Sequence, residues 1–369
     1  MTWFRRAVSH LLAPIALGAA IVSWASAAPA KRLIEMGWDE PDPAFMRRHL
    51  AQLEATPFDG CVYHLFYDAG PGRPPGRFTW EAWGKRTFTA AEVESGLRDL
   101  IATPFRRFRW NFLRLNVTPG VDWFDDFGAV VSNARLAAEV AKGGGSAGVM
   151  LDTEPYESEI FRYDSQRGTG THSFDEYADQ ARRRGAEVMR AFEQGYPGLT
   201  VFLTVGPSCP YLQAVGGVRR ETGRYGLLMP FVDGMVSAAS DSARIVDGNE
   251  LAYPVGDPAE LDEFFRAMTD GVSAWFTDST RYRHIISRSF GLWLDYESAH
   301  LGWNVQKPKQ NPRTPDSMRA LVRRALVLAD DYVWIYSQKP RWWTEAGSRK
   351  DLPDAYIQAL RAARKGIAP

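Results

Sequence analysis

The sequence predicts an α/β protein built as a (β/α)8 TIM barrel with long βα loops. Three observations predict it. From residue 31 onward, apolar runs of strand length alternate with amphipathic stretches of helix length. Eight such pairs follow one another without a linker or a break in composition. Parallel strands joined by crossover helices are the economical reading of that alternation, and eight of them favour a closed barrel over an open doubly wound sheet. Third, no Gly-x-Gly-x-x-Gly follows an early strand, which lowers the dinucleotide-binding alternative.

The units run as follows. Residues 33–38 form strand one and stop at Asp39-Glu40; Asp42 caps the helix that Pro43 opens, with Phe45, Leu50 and Leu53 at helical spacing. Residues 61–66 are strand two, with His64 near the end, and 68–88 form a long loop carrying Trp80 and Trp83 before a helix over 89–102. Strand three, 110–116, sets Arg114 and Asn116 on one face. A helix over 122–142 ends at three glycines, and strand four spans 147–154. Ser173 and Glu176 make a capping box for the next helix, to about Gln194. Strand five covers 199–205, followed by a rigid loop over 206–210 and an apolar helix over 225–238. A short strand six over 243–247 precedes Gly248-Asn249-Glu250 and a helix over 257–275. Strand seven is 290–295, Pro315 opens a helix to about Ala329, strand eight is 332–336, and a helix over 353–365 closes the chain.

Before this barrel, assigned to residues 29–369, the first 28 residues read as a secretory signal peptide. Arg5 and Arg6 precede an apolar stretch, and small residues surround an expected cleavage near Ala27 or Ala28. The expectation is a secreted or periplasmic protein; an uncleaved N-terminal anchor is the alternative, and no later run is apolar enough to span a membrane. Lys and Arg together equal Asp and Glu at 44 each, so the chain is neutral, and loss of Arg5 and Arg6 leaves it slightly acidic. That balance argues against nucleic acid as a partner. Thirteen tryptophans are a high number; many are expected in the core, and aromatic-rich loops would also suit stacking on sugar rings. Cys61 and Cys209 either pair, as export permits, or serve as small buried hydrophobes; no Cys or His cluster has zinc spacing.

Barrel active sites lie at the C-terminal ends of the strands. The strand ends here are rich in carboxylates: Asp39 and Glu40, Asp152 and Glu154, Asp247 and Glu250, Asp295 and Glu297, with His64, Asn116 and Tyr336 on strands two, three and eight and Gln338, Trp342, Trp343 and Glu345 beyond. The pattern Asp-x-Glu closes both strand four and strand seven. No Gly-x-Ser-x-Gly occurs, and strand one lacks His-x-His. Crowded carboxylates without those partners suit glycosidic bond cleavage, in which a protonated acid serves the leaving oxygen and an ionised carboxylate attacks or activates water.

On these residues the chain resembles the large (β/α)8 glycoside hydrolase group. In the best-known clan of that group an acid/base Glu ends strand four and a nucleophilic Glu ends strand seven, which implies Glu154 and Glu297 in those roles. The clan has Asn-Glu at strand four, whereas this chain has Asp152-Thr153-Glu154. Other barrel hydrolases use an aspartate at strand four, which would promote Asp152 with Asp247 or Glu250. Asp152 and Asp295 are therefore also catalytic candidates. Asp39, His64, Asn116, Asp247, Tyr336 and Trp342 are candidates for holding a carbohydrate substrate, and no cofactor is expected. Two alternatives stay open: a metal-dependent isomerase or lyase, with the carboxylates and His64 around Mg²⁺ or Mn²⁺, and a non-catalytic carbohydrate-binding barrel.

Overall fold

The computed structural model describes residues 31–367; the leader assigned to residues 1–28 lies outside them. Eight strand positions form one ring. They are β1 (Arg32–Gly37), β2 (Gly60–Tyr63), β3 (Phe112–Asn116), β4 (Gly148–Asp152), β5 (Thr200–Leu203), β6 (Arg244–Asp247), β7 in two pieces (Ile286–Arg288 and Gly291–Trp293) and β8 (Tyr332–Ser337). Every neighbouring pair in the ring is parallel. The first piece of β7 pairs with β6 and the second with β8, so one interrupted strand closes the barrel.

Alternate residues along each strand point inward. Ile34, Val62, Phe112, Met150, Phe202 and Val246, with Tyr332 and Trp334, fill the ring as a packed apolar core rather than a pore. The opposite faces of the strands meet the helices in a second, larger core. Helices Phe174–Gly195 and Leu228–Ala238 approach unusually closely. A Cβ at Gly185 would lie 1.9 Å from the Phe231 carbonyl oxygen, and one at Gly234 1.9 Å from that of Arg182. Reciprocal glycines make that contact possible, so a side chain at either would push the helices apart.

Local signals place the helix starts. Asp42 accepts the Phe45 amide at 2.7 Å, the Ser173–Glu176 capping box is formed, and Thr314 accepts the Ser317 amide at 3.1 Å. Several expectations need correction. The segment 206–210, expected as a loop, opens a helix, Ser208–Val215, because Pro210 sits in its first turn, where a missing N–H costs nothing. The helix expected over 257–275 breaks into Glu260–Arg266, a wide turn Ala267–Gly271 and a tight one Val272–Trp275. Helix Ser279–Ile285, capped by Asp278, follows, and β7 begins earlier and ends earlier than 290–295. The loop 68–88 contains one strand of a two-stranded ribbon, Phe66–Tyr67 with Gly76–Arg77, and a one-turn helix, Phe78–Glu81. Cys61 and Cys209 are both buried and free, so the pairing alternative falls. Among the described residues, no helix is long and apolar enough to cross a membrane.

Candidate active site

A cavity of about 570 Å³ opens at the C-terminal ends of the strands. Its walls include Glu40, His64, Trp80, Arg114, Glu154, Tyr156, Glu250, Tyr253, Trp293 and Tyr336. A larger cavity, about 770 Å³, lies on the flank between helices Leu50–Glu54 and Asp354–Arg364; none of the strand-end carboxylates lines it.

Beneath the cleft, Arg114 on β3 is almost fully buried and joins two acids. Its Nη1 donates to Glu40 Oε2 at 2.7 Å, while Nε (3.1 Å) and Nη2 donate to Asp152 Oδ2. Burial works against the guanidinium charge, but Glu40 and Asp152 outweigh it and hold the arginine firmly protonated. Asp152 also accepts Asn116 Nδ2 at 3.0 Å on Oδ2, and Thr204 Oγ1 at 3.0 Å and the Glu154 amide at 3.1 Å on Oδ1. A carboxylate so fully occupied is an anchor. It fixes the ends of β3, β4 and β5 and leaves no free lone pair aimed at a ligand.

Glu154 stands two residues further, in the cleft. Tyr156 Oη donates to its Oε2 at 2.6 Å and accepts from Arg114 Nη2 at 3.2 Å. Across from it, Glu250 opens a short helical turn, Glu250–Ala252, after β6, and both carboxyls line the cleft. Burial, then the Asp152 charge, raises Glu154 above the ordinary carboxylate range, while the Tyr156 hydroxyl pulls it back. Burial and the charges of Glu154 and Asp152 raise Glu250 much further. Both carboxyls are thus pushed toward the protonated form, Glu250 the more strongly.

The other candidates divide. His64 and Tyr336 line the cleft; His64 packs edge-on against Phe66 and Tyr336 Oη accepts Trp38 Nε1 at 2.7 Å. Gln338 and Glu40 line it as well. Asn116 is buried behind Arg114 and serves Asp152, so it is a support and not a wall residue. Asp247 is buried, accepting the Ser208 amide and hydroxyl at 2.9 Å each and the Asn249 amide at 3.1 Å; burial nonetheless pushes it up to about 6. It fixes the chain after β5 and does not line the cleft.

Further candidates are placed away from the cleft. Asp39 turns away from the cleft. Its Oδ2 accepts the Trp342 amide at 2.6 Å and its carbonyl accepts Trp343 Nε1 at 2.6 Å, while its carboxyl lies against buried Glu35; burial pushes Asp39 up to about 6 and Glu35 higher still. Trp342 and Trp343 are buried, Trp342 donating to Ser337 Oγ at 3.0 Å, so the pair is core behind β1 and β8 and not a sugar platform. Glu297 does not face Glu154. The described strand ends at Trp293; Asp295, fully buried, accepts the amides of Gln338 and Lys339 at 2.8 Å each, Trp293 Nε1 at 2.9 Å and Ser298 Oγ at 3.1 Å. Glu297 then takes φ 63° and starts the one-turn helix Ser298–Leu301, with its carboxyl beside the Tyr296 hydroxyl and outside the cleft lining. Glu345 pairs with Arg48 at 2.8 Å and His49 at 2.9 Å on the surface.

The residues that sequence reasoning underweighted are Trp38, Tyr156, Tyr253 and Trp293, with Arg77 at the ribbon. Most of them sit close behind a strand, so the same positional rule reaches them once aromatic residues are counted with the acids. Among the described residues, no group of three or more His, Cys, Asp or Glu side chains is arranged to hold a metal ion.

No family model and no curated protein matches the sequence. Solved structures give distant likenesses. The catalytic domain of a hyperthermophilic chitinase from Pyrococcus furiosus is 9% identical, with 93% of this chain and 99% of that one covered and a TM-score of 0.47. An exo-beta-1,4-mannosidase from Opitutaceae bacterium strain TAV5 is 11% identical, with 93% and 61% covered and a TM-score of 0.47. GH5_18 from Streptomyces cattleya, in complex with GlcNAc, is 13% identical, with 92% and 82% covered and a TM-score of 0.47.

Proposed function

We propose that the chain is a glycoside hydrolase, acting outside the cytoplasm after removal of residues 1–28. The observation that carries the reading is Glu154 and Glu250 lining one aromatic-walled cleft, two acids crowded enough that the charge of Glu154 raises Glu250. Two carboxyls whose surroundings push their protonation apart are what acid-assisted cleavage of an acetal requires. Glu250 gives its proton to the glycosidic oxygen as the C–O bond to the anomeric carbon breaks. The Glu154 carboxylate, fixed by Tyr156, faces the positive charge that develops on the sugar. Water then adds to that carbon and its proton returns to the pair. Glu154 and Glu250 act as a coupled pair, since the charge of Glu154 raises Glu250.

Release of reducing ends from a panel of glucans, mannans, xylans and chitin-derived oligosaccharides tests the reading. Wild type should cleave at least one class, and Glu154→Gln and Glu250→Gln should each lower kcat/KM on it by roughly 10²–10⁴-fold with melting temperature kept. Full activity in both variants sinks the assignment. Binding without turnover in wild type supports a non-catalytic carbohydrate-binding barrel instead.

A further inference from the structure

Trp38 is 69% exposed, the most exposed aromatic side chain among the described residues, although it follows directly on the buried strand β1. An indole left so open loses the gain that burial gives a large apolar group. It is nevertheless held in place. Nε1 donates to Tyr336 Oη at 2.7 Å, which fixes the ring and uses its one polar atom. Tyr336 is itself wedged between Tyr253, stacked at 5.5 Å, and Trp293, edge-on at 5.1 Å. The result is a flat apolar surface with a fixed orientation, continuous with the cleft wall. The next most exposed aromatic, Tyr156 at 47%, lines the same cleft from the far side, after β4.

We propose that Trp38 is the platform of a separate sugar subsite at the rim of the cleft, carrying the apolar face of a pyranose ring while another ring of the same chain sits at Glu154 and Glu250. The inference rests on the glycoside hydrolase reading and adds that the substrate is an oligosaccharide or polysaccharide, not a single glycoside. A pre-fixed ring binds with little loss of side-chain freedom, which is why an anchored indole serves better than a mobile one. Ring stacking of this kind is weak singly, so the expected effect is modest and specific to chain length.

The test measures binding by calorimetry in the Glu250→Gln protein, using cello-, manno-, xylo- and chito-oligosaccharides of one to six units, with Trp38 intact, Trp38→Ala and Trp38→Phe. Affinity should rise with length when Trp38 is present. Trp38→Ala should weaken the longer ligands about tenfold and leave the monosaccharide unchanged, and Trp38→Phe should recover most of the loss. In the Glu250-intact enzyme, Trp38→Ala should raise KM for long substrates with kcat retained. Equal affinity with and without the indole, equal losses for monosaccharide and hexasaccharide, or no binding by any of the ligands overturns the platform. Length-dependent binding that Trp38→Ala weakens, in a protein that hydrolyses nothing, keeps the platform and sinks the hydrolase reading. Hydrolysis that ignores Trp38 does the reverse.

Discussion

The pattern Asp-x-Glu occurs twice at strand ends, and the two copies behave alike at the Asp and differently at the Glu. Asp152 and Asp295 are both fully buried, and both collect hydrogen bonds that tie a strand end to its neighbours. Glu154 precedes Pro155, and a residue before proline is steered to an extended conformation. The alternation of β4 is therefore carried past the strand, and Glu154 lines the mouth above the buried Asp152. Glu297 has no such constraint. It takes a left-handed conformation and turns the chain into a short helix, so its side chain leaves the mouth. A carboxylate pair at a strand end thus separates into an anchor and a free acid, and the backbone after the anchor decides where the free acid goes.

The largest effect expected from this contrast is in stability together with activity. Asp152→Ala strands the buried Arg114 with Glu40 alone, a loss of about 3–5 kcal/mol of folding stability, and it removes the support under Glu154. Asp295→Ala deprives four neutral donors of their acceptor, two of them backbone amides that water can reach once the loop relaxes, so about 1–3 kcal/mol is expected. Urea denaturation of the two variants checks the order. A larger loss at Asp295 would mean that the loops after β7 and β8, and not Arg114, are the main demand on a strand-end acid.

Tyr156→Phe gives a smaller effect, read in pH. The hydroxyl of Tyr156 favours the charged form of Glu154, so its removal raises the Glu154 pKa beyond its already raised position. Turnover needs Glu154 ionised and Glu250 protonated, which gives a bell-shaped profile. The acid limb, set by Glu154, should move to higher pH in Tyr156→Phe, while the alkaline limb, set by Glu250, should change less. An acid limb that stays fixed would show that another group, and not Glu154, carries the essential charge.

How much of this was legible in the residues follows from the same physics. The eight strand-helix pairs were readable because burial on both faces makes parallel strands continuously apolar, and capping residues such as Asp42, Ser173 and Thr314 mark helix starts. Glu154 was readable through Pro155 and the barrel rule. Glu297 was misplaced because the period of two was continued past Trp293, where the strand has already ended. Glu250 was underweighted because Asp247-Gly248-Asn249 reads as a turn, although that turn, with Asn249 at φ 45°, is what swings Glu250 toward Glu154. Trp342 and Asp39 could not be assigned from position alone. Each lies at the correct end of its strand, and each is captured by the other from far along the chain, the Trp342 amide donating to the Asp39 carboxyl.

The smallest expected effect is the one that separates the two copies most sharply. Glu297→Gln changes a half-buried side chain that lines no part of the cleft. Its kcat/KM should stay within about twofold of wild type, and its stability within about 0.5 kcal/mol, on the same substrate for which Glu154→Gln is crippled. The two substitutions are chemically identical and fall at matching positions of matching motifs. If Glu297→Gln lost activity as Glu154→Gln does, with melting temperature and substrate affinity retained, the mouth would have to close around both acids during turnover. The left-handed turn at Glu297 would then be a resting conformation of a catalytic residue, and the distinction between anchor and free acid would hold only for Asp152 and Asp295.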